Sequence, residues 1–136
     1  MHTTNYQDTF IESAEDCPVE EAQTPPSSAA RKTVANLQYE MLADAPYRHT
    51  SDDVIFAVHA DRAGIPEVDR PAERERFFSR GQACLRASPL AKRYGWGFHF
   101  DADGRVALVP GGSDEYRRLA TDPTLRHVRA MRSKRA

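Results

Sequence analysis

The sequence predicts an α+β fold: a single domain with a mixed or mainly antiparallel sheet and helices packed on one face. Three observations lead to it. The 136 residues suffice for one hydrophobic core and not for two. A β-hairpin is legible between Trp96 and Val109. Segments of strand and helix character interleave along the chain in the order strand, helix, strand, helix, two hairpin strands, helix, helix.

Residues 5–13, NYQDTFIES, contain Tyr6, Thr9, Phe10 and Ile11, a β-leaning composition that reads as a first strand. The stretch from about 16 to 31 is polar, proline-rich and poor in large apolar groups, so it reads as a loop of weak order. Thr33 is placed to cap a helix through Asp44, in which Val34, Leu37 and Met41 recur at helical spacing and Pro46 lies just beyond the end. VIFAVHA, Val54–Ala60, is apolar on both faces apart from His59, as a central strand covered from two sides would be. Pro71 suits the first turn of a helix through Arg80, with Gly81 at its end.

Leu85–Ala87 reads as a short extended piece, and Ser88 with Pro89 opens a short helix that carries Lys92 and Arg93 and closes at Gly95. In WGFHF, alternation puts Trp96, Phe98 and Phe100 on one face and Gly97 and His99 on the other. DADG turns the chain and RVALV returns it. Ser113 caps a helix whose first turn holds Asp114 and Glu115, the favourable sign for the helix dipole. Asp122 and Pro123 are read as starting a basic C-terminal helix and tail over about 123–136.

Formal net charge is only −1, but it is unevenly spread. Residues 1–30 hold six acids and no base, whereas residues 117–136 hold seven bases and one acid. The simplest use of this asymmetry is a chain that folds its acidic start against its basic end. The sharper use is a basic arm for a polyanion. No apolar run reaches the roughly 20 residues that span a bilayer, and MHTTNYQDTF lacks the pattern of a secretory signal, which leads us to expect a cytoplasmic location. Cys17 and Cys84 have no partner at metal-ligand spacing, so reduced thiols are expected, Cys84 buried, with neither a metal nor a cofactor.

The segments HTTNYQDTFIESAEDCP, YRHTSDDVIF, RASPLAKRYGWGFHFDADGRVAL and MRSKR resemble a small bacterial family, domain of unknown function 6157. The resemblance covers nearly the whole chain and implies a cytoplasmic bacterial protein. It carries over no activity, ligand or catalytic residue, so chemistry has to come from the residues themselves.

Three readings compete. In the first, Arg86, Ser88, Lys92, Arg93, Trp96 and His99 line one site for an anionic or planar small molecule, with free N–H groups behind the Ser88 cap helping to bind the anion. The commoner role for such residues is a cap, solvated cations and a packed tryptophan. In the second, His59 or His99 works as acid or base with Asp52 or Asp53, which requires a carboxylate within hydrogen-bond reach of an imidazole in a cleft. Acids at such a position more often make local turns. In the third, Arg126, Arg129, Arg132, Lys134 and Arg135 form the basic stripe of a nucleic-acid-binding helix, although a pI of about 6.5 and the lack of a reader motif argue against it. The first reading leads. HExxH, a glycine-rich phosphate loop and GxSxG are all absent from the sequence.

Overall fold

The hairpin forms as expected and stands at the centre of the sheet: β3 (Trp96–Phe100) and β4 (Arg105–Pro110) pair antiparallel, with Phe98 opposite Leu108. The computed structural model describes residues 1–27 and 31–134; residues 28–30 of the expected loop and Arg135 of the expected basic tail lie outside them. Among the described residues the strands form one mixed sheet in the order β2, β4, β3, β1, β5. β1 (Thr9–Glu12) runs antiparallel to β3, and two-residue β2 (His49–Thr50) runs antiparallel to β4. β5 (Arg126–Arg129) is parallel to β1, so the first and last strands of the chain lie side by side. The domain is α+β.

Side-chain alternation divides the core between the two sheet faces. Ile11, Phe98, Phe100 and Val106 pack with Leu42 of α1 (Val34–Leu42), Val54 of α2 (Ser51–Ala63) and Leu90 of α4 (Pro89–Arg93). From the reverse face, Phe10 and Val109 meet Leu119 of α5 (Asp114–Ala120), so one helix lies outside the single helical face expected. Each fully buried large side chain contributes on the order of 1.5–3 kcal/mol. Gly97 makes the reverse-face packing possible, since a Cβ there would stand 2.8 Å from Cζ of Phe10.

Residues 54–60 are helix, which corrects the central strand expected there. Apolarity on both sides has a different cause: Val54 packs into the sheet core, while Phe56 and Ala60 meet Phe78 at the end of α3 (Arg70–Phe77). A short apolar run is compatible with either a buried strand or a buried helix. What decides is the ends. Thr50 and Asp53 form a reciprocal capping box, and Gly64 closes the helix at φ 69°.

The C-terminal helix is likewise corrected to strand β5. Leu125 and Val128 mimic helical spacing, but they join different clusters on opposite sheet faces, and Met131 is exposed. The exposed edge of β1 takes this segment through Arg126 N–H to Asp8 O at 2.8 Å and Ala130 N–H to Glu12 O at 2.8 Å. Leu85–Ala87, expected to be extended, is a 3-10 turn.

The acidic beginning and basic end of the chain meet. The Asp16 carboxylate accepts from the N–H groups of Ser133 and Lys134, and Arg132 pairs with Glu15 at 3.5 Å. Residues 16–27 contain no helix or strand, yet Gln23 N–H bonds Tyr94 O, Ala22 N–H bonds Gly111 O, and Trp96 Nε1–H bonds Gln23 O. No helix among the described residues is long and apolar enough to cross a membrane.

Candidate functional site

A cleft of about 350 Å³ opens between α1, α2 and residues 82–89. Its walls are mainly apolar, with Val34, Ile55, Val58 and Pro89 among them, and its polar lining includes Gln38, His59, Arg62 and Ser88. The last turns of α2 supply Val58, His59 and Arg62, because positions three and four apart share a helix face. His59 stacks on Phe77 with ring centroids 4.5 Å apart and planes 28° apart, which makes a flat aromatic wall.

Polar groups deeper in the cleft are already engaged. Ser88, buried, donates to Gln38 Oε1 at 2.5 Å and accepts from Leu90 N–H at 3.1 Å, so its hydroxyl serves the fold. The Cys84 thiol lies 3.2 Å from the Tyr6 hydroxyl; Cys84 is half-buried, not buried as expected, and both cysteines are free. Burial, with the Cys84 contact second, pushes the Tyr6 phenol up to about 12. Arg62 is exposed and has no ion-pair partner among the described residues.

The six residues expected to form one anion site are dispersed. Trp96 and His99 are on opposite faces of β3, as an odd separation on a strand requires. Trp96 packs edge-on against Tyr39 at 5.5 Å, on the core side. Arg86 turns its Nε–H to the Arg129 carbonyl at 2.7 Å, at the end of β5. Lys92 and Arg93 occupy the last turn of α4. Of the six, Ser88 alone lines the cleft.

Among the described residues neither His59 nor His99 forms a hydrogen-bonded pair with a carboxylate. Asp52 accepts from Thr3 Oγ1, Thr4 Oγ1 and Thr4 N–H, each at 2.7 Å, tying the N-terminal segment to α2. Asp53 caps α2 and pairs with Arg74 at 2.9 Å. Burial would raise its carboxyl, but the Thr50 N–H and Arg74 overcome that and hold it below the usual value. His99 has Tyr47 as its partner, with 2.6 Å between Nδ1 and the hydroxyl. No group of three or more potential metal ligands occurs among the described residues.

The expected basic stripe is not formed as one surface. Arg126 and Arg129 occupy positions of opposite parity on β5, Arg132 faces Glu15, and the Lys134 backbone is held by Asp16.

The model of a family of unknown function, DUF6157, matches residues 1–136. The chain belongs to DUF6157. No curated protein and no solved structure matches this DUF6157 chain. The cleft residues Arg62 and Phe77 were not singled out from the sequence. The i, i+3 pair His59 and Arg62 on a helix was the signal available, and reading 54–60 as a strand concealed it.

Proposed function

We propose that this DUF6157 chain is a non-catalytic small-molecule-binding domain whose ligand has a planar apolar body and one anionic group. The observation that carries the reading is the cleft itself: about 350 Å³, mainly apolar walls, a stacked His59–Phe77 face and the exposed guanidinium of Arg62. Ligand cavities typically have this character, an apolar enclosure with a few polar groups that set orientation. The size suits a small aromatic acid. A guanidinium recognises a carboxylate or phosphate in a two-pronged geometry, and a planar body gains from lying against the aromatic wall.

Thermal unfolding with a panel of aromatic carboxylates and their uncharged amides tests the reading. A ligand that binds only the folded state stabilises it by about 2.7 kcal/mol at a concentration 100 times its Kd. At least one carboxylate is expected to raise Tm, its amide much less, and both Arg62→Ala and Val58→Trp should abolish the effect. A panel without a stabilising acid, or stabilisation that survives both substitutions, overturns it.

A further inference from the structure

A second cavity lies on the other side of the Tyr6–Cys84 contact, with a different chemistry. We infer that the groove of about 580 Å³ lined by Thr3, Asn5, Tyr6, Gln7, Thr9 and Arg126 is a binding site for a small hydroxylated anion. Every residue lining it has a polar side chain, whereas the α1–α2 cleft is mainly apolar. A purely hydrocarbon ligand would gain little here and strip water from amides and hydroxyls.

The groove is held in shape by bonds that do not involve a ligand. Thr3 Oγ1 donates to Asp52 and accepts from Asn5 N–H at 3.1 Å, while Asn5 Oδ1 accepts from Asp52 N–H at 2.9 Å. Thr9 Oγ1 donates to Gln7 O at 2.7 Å. These bonds decide what each group still offers. Thr3 and Thr9 have given their hydroxyl hydrogens and retain acceptor capacity, whereas Asn5 retains its NH₂ donors. Such a preformed set lowers the ordering cost of binding.

Charge completes the assignment. Arg126 is the one charged residue of the six, is exposed, and has no ion pair among the described residues. The Arg86 and Arg126 guanidiniums both pull the Tyr6 phenol downward against its burial, so two cations act on this wall. Asp52, the acid bonded to Thr3, is already satisfied by the Thr3 and Thr4 donors. An anionic group on Arg126, with ligand hydroxyls donating to the threonines and accepting from the amides, uses what is left. A sugar acid and a sugar phosphate share that chemistry.

The test is an NMR titration of the isotope-labelled full chain with gluconate, glucose 6-phosphate, glucose and inorganic phosphate. Gluconate, glucose 6-phosphate or both should shift the side-chain amides of Asn5 and Gln7 with a Kd in the millimolar range or tighter. Glucose and inorganic phosphate should bind at least tenfold more weakly. Arg126→Gln should weaken the bound anion tenfold or more, while Arg62→Ala leaves it unchanged, which separates this site from the α1–α2 cleft. Binding of gluconate alone identifies a carboxylate site, and of the ester alone a phosphate site. Three results overturn the inference: neither sugar anion shifts these amides, the shifts persist in Arg126→Gln, or inorganic phosphate binds as tightly as the ester.

Discussion

The Tyr47 hydroxyl lies 2.6 Å from Nδ1 of His99, joining the loop before β2 to the middle of the sheet from its reverse face. Tyr47 reaches this position with φ at 58°, a left-handed backbone uncommon for a bulky side chain. Burial favours the neutral form of both groups, lowering the imidazole and raising the phenol. Between a neutral phenol and a neutral imidazole the direction of this bond follows the His99 tautomer: the phenol donates to a bare Nδ1, or an Nδ1–H donates to the phenol oxygen.

His99 is expected to titrate below its ordinary value of 6.5, because desolvation outweighs the pull of Asp101, Glu115, Asp122 and Asp8. With the folded value depressed, the unfolded chain takes up its proton first as pH falls. The stability from this site is thus full above about 6.5 and declines as pH drops through the folded value. NMR titration of the imidazole, with urea unfolding from pH 7.5 to 5, measures both. A folded value above 6.5 contradicts the assignment.

Replacing Gly97 by Ala should destabilise the domain by about 1–3 kcal/mol, the usual cost of overpacking. The new methyl would meet Phe10, which is fully buried. Gly64→Ala provides a contrast. Its Cβ would touch nothing within 4 Å, so its cost, roughly 1–2 kcal/mol, comes from φ 69° alone. Equilibrium unfolding of the two variants distinguishes a packing penalty from a backbone one; a neutral Gly97→Ala would mean that Phe10 can move.

Asp53→Ala removes half of the capping box and the Arg74 ion pair, and should cost about 1–2 kcal/mol. Most of that belongs to the cap. The Arg74 pair is partly exposed and contributes less than about 1 kcal/mol, so Arg74→Ala should be the milder change. Since the Asp53 carboxyl is held below 3.8, its contribution is complete above that pH and is lost on further acidification. Equal losses in the two single variants would reverse the ranking of cap and ion pair.

Asp16→Ala should release the end of the chain from the domain. The carboxylate takes the N–H groups of Ser133 and Lys134, so both amides should exchange faster with solvent, while those of Arg126 and Ala130, bonded to β1, keep their protection. Hydrogen exchange by NMR reads each amide separately. Unchanged rates at Ser133 and Lys134 would show that Asp16 does not hold them.

The elements legible in the sequence were those whose local chemistry and tertiary setting agree. Ser88, Ser113 and Thr33 cap their helices, and Trp96–Phe100 alternates as a strand between a helical layer and a reverse face. The two misread elements are those in which long-range packing redefines a local pattern. Val54–Ala60 is apolar all round because α3 covers its outer side, and Arg126–Arg129 becomes a strand because β1 has an open edge. Both errors propagated to the site. A strand at 54–60 hid the neighbouring side chains of His59 and Arg62, and a helix at 123–136 gave the arginines a common face that the strand divides.

The parallel pairing of β1 with β5 has a consequence for the order of folding. β1 precedes β3 and β5 along the chain but lies between them in the sheet. It has no sheet partner until the hairpin has been synthesised, and its outer edge stays open until residues 126–129 have emerged. Native pairing of such sequence-distant segments closes long loops and slows folding. A chain stalled before Arg126 would therefore expose the β1 edge to other strands.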